Sequence, residues 1–200
     1  MIIGITGGTG CGKTTLLREI EKLGGTVLDC DAIYHELLQT DAAMLSAIES
    51  RFPGEEEDGA LNRKKLGGIV FSDAQALLDL NAITHAAVKQ EVLRRLEDKP
   101  ALAAIDAIGL FEGGLAELCD VTVAVTAPRA QRIQRLMARD GISEAYACSR
   151  IDAQHSDDWF REKCTCTLEN NGELDAFATK CLAFLHTMGI MKEKCKGDSL

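Results

Sequence analysis

Short apolar runs alternate along the chain with segments whose apolar positions recur at helical spacing. Ile2-Ile3-Gly4-Ile5-Thr6 is a β-branched run that ends at Gly7-Gly8, and residues 14–23 then carry Leu16, Leu17, Ile20 and Leu23 on one helical face. Gly24-Gly25 stops that helix; Thr26-Val27-Leu28 opens a second strand, closed by Asp29-Cys30-Asp31. From about residue 41 to 96 the pattern is helical, broken by a loop at 52–59, with no strand signal, so it reads as a helical insertion. Strands resume at 101–105, 121–125 and 165–168, each bounded by turn residues. Five strands with helices between them predict an α/β fold in which a parallel sheet is covered on both faces. In such a sheet the ligand lies beyond the carboxyl ends of the strands.

Immediately after the first strand stands Gly7-Gly8-Thr9-Gly10-Cys11-Gly12-Lys13-Thr14, which fits G-x-x-x-x-G-K-[ST] in the strand-to-helix setting that this pattern requires. Glycines let the backbone curl so that successive N–H groups converge on phosphate oxygens, and the following helix adds its positive end. Lys13 supplies a mobile charge for the β- and γ-phosphates, and the Thr14 hydroxyl can ligate Mg²⁺. The chain is expected to bind a nucleoside triphosphate with magnesium.

After the second strand, the spacing of Asp29 and Asp31 lets one carboxylate turn toward a phosphate site while the other caps the loop. Asp31 is the expected base for an acceptor hydroxyl, since phosphoryl transfer asks mainly for positioning and charge neutralisation. Arg132, Arg135 and Arg139 share one side of a helix, within a segment of five Arg against only Asp140 and Glu144. Guanidinium groups suit a lid that closes over a transferring phosphoryl group. Asp106, at the end of the third strand, could hold the metal through water or equally cap the next turn. The run Asp106-Ala107-Ile108-Gly109 also fits the D-x-x-G of GTPases, but no guanine-reading Asn-Lys-x-Asp or Thr-Lys-x-Asp accompanies it.

Composition narrows the partners. The 200 residues carry a formal charge of −9, and 46% are hydrophobic. That is enough to bury a core without staples, and the acidic balance argues against nucleic-acid binding. The 8 cysteines are scattered without metal-ligand or redox spacing. No basic leader followed by an apolar run opens the sequence, and no stretch is long and apolar enough to span a bilayer. A soluble protein of a reducing cytoplasm, not engaged with membranes, is the expectation.

Taken together, these residues carry a resemblance to the dephospho-CoA kinase family, running from Ile2 to about His186. It rests on Ile5-Thr6 with the glycine-rich loop, Val27-Leu28-Asp29-Cys30-Asp31, Asp58-Gly59-Ala60-Leu61-Asn62-Arg63-Lys64-Lys65-Leu66 and Leu80-Asn81-Ala82-Ile83-Thr84-His85. Further along, Leu110-Phe111-Glu112, Arg135-Leu136-Met137-Ala138-Arg139-Asp140, Arg150-Ile151-Asp152-Ala153-Gln154 and Asn170-Asn171-Gly172 continue it.

The resemblance implies a three-layer α/β/α P-loop NTPase fold with a five-stranded parallel sheet. The nucleotide-binding core would comprise 1–39 and 99–200, with a helical lid at about 128–156, and the helical CoA-binding insertion 40–98. It implies ATP-dependent phosphorylation of the ribose 3′-hydroxyl of dephospho-CoA, the last step of coenzyme A synthesis. A P-loop kinase for another small metabolite or nucleotide, or a nucleotide-dependent switch, are the alternatives. Gly10, Cys11, Gly12, Lys13, Thr14 and Thr15 would cradle the ATP phosphates, and Asp31 would face the 3′-hydroxyl. Arg63 and His85 would shape the acceptor site, Arg139 would reach the phosphates from the lid, and Asn171 with Gly172 would lie near the adenine. Ile108 and Ala86 stand where family members commonly have proline, and Cys11 where serine is common. At a helix N-terminus, Cys11 is a candidate reactive thiol.

Overall fold

The computed structural model describes residues 1–54, 56–57, 60–172 and 174–190. In chain order the elements are β1 (Ile2–Thr6), α1 (Lys13–Lys22), β2 (Thr26–Asp29), α2 (Cys30–Thr40), α3 (Ala42–Arg51), β3 (Glu56–Glu57), β4 (Ala60–Leu61), α4 (Arg63–Val70) and α5 (Ala74–Leu96). They continue with β5 (Ala103–Asp106), β6 (Val121–Thr126), α6 (Arg129–Asp140), α7 (Glu144–Asp152), α8 (Asp157–Lys163), β7 (Cys166–Glu169) and α9 (Leu174–Thr187), with a 3₁₀ turn at Ala116–Leu118 before β6. The five expected strands form one sheet in the order β2-β5-β1-β6-β7, with helices on both sides. β1 lies centrally, parallel to β5 with Ile5 level with Asp106, and parallel to β6 with Thr6 level with Ala124.

The chain divides into two compact units. The first holds Met1–Val27, Pro100–Ile108 and the chain from Cys119 onward. Its core is built from Ile3 and Ile5 of β1, Val123 and Val125 of β6, Leu16 and Ile20 of α1, and Phe177, Cys181 and Leu185 of α9. α1 packs on α9, which explains the apolar face that the sequence pattern assigned to residues 14–23. A separate small cluster of Leu136, Ala147 and Ile151, flanked by Ile133 and Ile142, joins α6 to α7.

The second unit is Leu28–Lys99 with Gly109–Leu118, so it begins well before residue 40 and includes a loop after β5. Its extent follows from packing: α2, α3 and α4 all lie against the long α5. α2 starts directly at the strand end because Asp29 caps it, accepting from Asp31 N–H at 2.9 Å and Ala32 N–H at 3.0 Å. Asp41, Asn62 and Asp73 cap α3, α4 and α5 in the same way. The expectation of no strand in this segment is corrected: β3 and β4 form an antiparallel pair, Glu56 opposite Leu61 and Glu57 opposite Ala60. Two-residue strands are too short to show a period of two, so no alternation could signal them.

Candidate active site

β1 is buried from Ile3 onward, and its carboxyl end passes straight into the loop Gly7–Gly12. Gly12 sits at φ 102° with its α-carbon facing Asn170, so a β-carbon there would be strained by the backbone and would collide with the Asn170 amide. Only glycine makes this turn without cost. Gly12 then precedes α1, whose first turn, like that of α6, receives no side-chain cap, whereas α2, α3, α4, α5, α7 and α8 are each capped by an Asp, Asn or Ser. The uncapped end of α1, with its dipole, presents a positive field in which an anion would be stabilised. Lys13 opens the helix half-buried and donates from Nζ to Gly7 O at 2.9 Å, so the ammonium is folded over the loop. Thr14 is exposed beside it, and Thr15 N–H closes the first turn on Gly12 O at 3.0 Å.

Two of the three clustered arginines buttress this loop. Arg135 donates through Nη1 to Gly10 O at 3.2 Å and through Nη2 to Asn170 Oδ1 at 3.2 Å; Asn170 in turn donates from Nδ2 to Cys11 O at 2.9 Å. Arg132 donates from Nε to Thr9 O at 2.9 Å. Both bind carbonyls of the loop, which corrects the expectation that their guanidiniums serve as lid donors to phosphate. Helical spacing put them on one face, but only the tertiary fold sets that face against the loop. Arg139, one turn further on, is exposed and held by Asp140, with Nε–Oδ1 at 2.6 Å and Nη2–Oδ2 at 2.9 Å, while Arg150 reaches the same carboxylate at 2.7 Å. The Arg139 hydrogen bonds, followed by those of Arg150, hold the Asp140 carboxyl down to about 2.

Cys11 is fully buried in the core, and burial pushes its thiol pKa up despite the nearby positive charge of Arg132 and Lys13. The candidate reactive thiol is thus overturned, because desolvation outweighs the helix end. Asn171 is exposed, its Oδ1 accepting from Lys180 Nζ at 3.0 Å and its carbonyl from Gln131 Nε2 at 3.3 Å; Gly172 beside it is also exposed. The residue of Asn170-Asn171-Gly172 that touches the loop is Asn170, 3% exposed, for which the sequence signalled no role. Asp106 closes β5, level with the last residues of β1 before the loop.

In the second unit, Asp29 and Asp31 separate as their spacing suggested. Asp29 is committed to the α2 cap, and the exposed Asp31 carboxylate takes no partner among the described residues. His85 stands half-buried on α5, where a β-carbon built on Gly109 would lie 3.7 Å from its Nε2. Arg63 opens α4, its side chain and the Asp58-Gly59 end of its motif lying outside the described residues. Among the described residues the cysteines are free thiols, no group of three or more His, Cys, Asp or Glu could hold a metal, and no helix is long and apolar enough to cross a membrane.

Known proteins resemble the chain in sequence and in fold. The family model described as dephospho-CoA kinase matches residues 1–176. The dephospho-CoA kinase of Syntrophotalea carbinolica is 35% identical over 191 residues, covering 92% of this chain and 90% of its own. That of Anaeromyxobacter dehalogenans is 38% identical over 185 residues, covering 90% and 88%. Among solved structures, TT1252 from Thermus thermophilus superposes with a TM-score of 0.80 at 32% identity, over 94% of this chain and 97% of that one. The dephospho-CoA kinase from Campylobacter jejuni gives 0.66 at 25% identity, over 95% and 98%. A family match along most of the chain, relatives aligned over nearly all of it, and a glycine loop in its required strand-to-helix setting agree: the chain belongs to the dephospho-CoA kinase family.

Proposed function

We propose that the chain transfers the γ-phosphoryl group of ATP to the ribose 3′-hydroxyl of dephospho-CoA, giving coenzyme A and ADP. The observation that carries this reading is the glycine loop between β1 and the uncapped α1, held in a chain whose family is that of dephospho-CoA kinases. Gly10, Cys11, Gly12, Lys13, Thr14 and Thr15 cradle the phosphates, Lys13 neutralises charge on the β- and γ-phosphates, and Arg139 adds a guanidinium to the transferring group. Asp31 accepts the proton of the 3′-hydroxyl as the oxygen–phosphorus bond forms, the bond to the β-phosphate oxygen breaks, and ADP leaves with the electron pair. An exposed carboxylate freed by the Asp29 cap supports Asp31 in that role.

Arg63 and His85 shape the acceptor site within the 40–98 insertion, and Asn171 with Gly172 lies near the adenine. Magnesium fits the donors present. The Thr14 hydroxyl is a hard oxygen ligand, and Asp106 is placed one strand away to act through water, with no all-protein cage among the described residues. Such a site suits an ion that keeps its waters and arrives with the nucleotide. Once bound, it would neutralise charge on the phosphate oxygens. The free thiols support a reducing, cytoplasmic setting.

The test is ADP release from Mg-ATP across a panel of acceptors that includes dephospho-CoA, a nucleoside monophosphate and a small hydroxy acid. Turnover with dephospho-CoA alone is expected; turnover only with another acceptor would overturn the reading.

A further inference from the structure

Among the described residues Arg132 is the only buried lysine or arginine, at 4% exposure. Burying a guanidinium is costly unless each donor is matched, and here the fork is divided three ways. Nε donates to Thr9 O at 2.9 Å, Nη1 to Asp157 Oδ1 at 3.1 Å, and Nη2 to Gln154 Oε1 at 3.3 Å. The same Gln154 oxygen accepts the Thr9 N–H at 2.8 Å. Thr9 is therefore gripped at both ends of its backbone, its carbonyl by Arg132 directly and its N–H by Gln154, which Arg132 orients. Space has been cleared for this grip: a β-carbon at Gly8 would run into the Arg132 guanidinium. Asp157 supplies the opposing charge from the first turn of α8, and Gln154 comes from the turn that follows α7.

Packing alone gives no reason for such an arrangement, since an apolar side chain could fill the same volume without desolvating a cation. The residue held lies early in the loop after β1, so its peptide orientation sets the curl from which the later N–H groups converge. We infer that Arg132 and Gln154 are positioning residues for nucleotide binding, fixing the Thr9 peptide so that the loop is shaped for phosphate before ATP arrives. The inference rests on the reading of Gly10 to Thr15 as the phosphate cradle.

Calorimetric titration of the full chain with Mg-ATP, and separately with dephospho-CoA, tests it. Gln154→Ala removes one acceptor from a half-buried position and leaves the Thr9 N–H open to water. Its dissociation constant for Mg-ATP is expected to rise about tenfold, the scale of one lost hydrogen bond, with that for dephospho-CoA unchanged. Gln154→Glu keeps an acceptor oxygen on the same stem and should restore nucleotide affinity. Arg132→Lys keeps the charge but cannot reach three diverging acceptors, so it should weaken Mg-ATP as Gln154→Ala does. Should Arg132→Lys fail to fold, the two Gln154 variants still decide.

Unchanged Mg-ATP affinity in Gln154→Ala, equal loss for both ligands, or no rescue by Gln154→Glu would each overturn the inference. Lys13→Ala separates the two levels. If it too leaves Mg-ATP binding intact, the cradle reading itself fails; if it weakens binding while Gln154→Ala does not, only the positioning role fails.

Discussion

Asp31 and Cys11 illustrate how a side chain acquires its character from its surroundings. Both carboxylates are exposed, but Asp29 spends its own on two N–H groups of α2, so Asp31 is the member of the pair whose carboxylate takes no partner among the described residues. Replacing it by Asn keeps shape and polarity but removes the proton acceptor. Asp31→Asn should bind Mg-ATP as the parent does and lose roughly 10²–10⁴-fold in turnover; rates near those of the parent would remove Asp31 as the base. Cys11 shows the opposite case, a group whose sequence position suggests reactivity and whose burial denies it. Iodoacetamide at pH 8 should leave Cys11 unmodified in the native protein, with labelling appearing only under unfolding conditions; peptide mass spectrometry reads this directly, and early labelling of Cys11 would contradict it. Asp140 gives a pH statement with a definite sign. Held to about 2 by Arg139 and Arg150, its carboxylate stays ionised through the working range, and whatever its ion pairs contribute is present above the ordinary aspartate pKa and lost only as pH falls toward 2. Any acid limb of the pH–rate profile above pH 4 should therefore survive unmoved in Asp140→Asn.

The elements differ in how far local sequence announces them. The glycine loop and its helix were legible, because glycine positions and the lysine–threonine pair state the strand-to-helix turn within eight consecutive residues. α6 was legible as an amphipathic helix bearing Arg132, Arg135 and Arg139, yet not as a prop for the loop, since periodicity names a face and not what lies against it. Gln154 and Asn170 lie in segments that carry the family resemblance, but their roles stayed hidden for the same reason: each meets the loop from more than 140 positions away in the chain. The start of the helical unit at Leu28 was hidden because α2 follows β2 without a linker, its cap being the strand's last residue. One substitution probes the loop-to-helix junction as an element. Gly12→Ala places a β-carbon at φ 102° against Asn170, and it is expected to cost about 1–3 kcal/mol of stability and to weaken Mg-ATP binding; thermal melts and nucleotide titration measure both, and a neutral result would contradict the geometry.

At the scale of the whole molecule, the charge of −9 averages over a segment from α6 to α7 that is rich in arginine and a loop carrying Lys13. Lys13, Arg132 and Arg135 meet that loop, so positive charge is gathered beside it in a chain that is acidic as a whole. Binding of the nucleotide to the folded state alone should raise the melting temperature as the nucleotide concentration rises, by about 2.7 kcal/mol of stability at a hundredfold excess over Kd. Lys13→Ala should lose most of that shift. The most direct measurement of the central claim is to identify the product of Mg-ATP and dephospho-CoA by phosphorus NMR and fragmentation mass spectrometry. A single new phosphate on the ribose 3′-oxygen, formed with stoichiometric ADP, is the expected result. A phosphate elsewhere on the acceptor, or ADP released without any phosphorylated product, would contradict it.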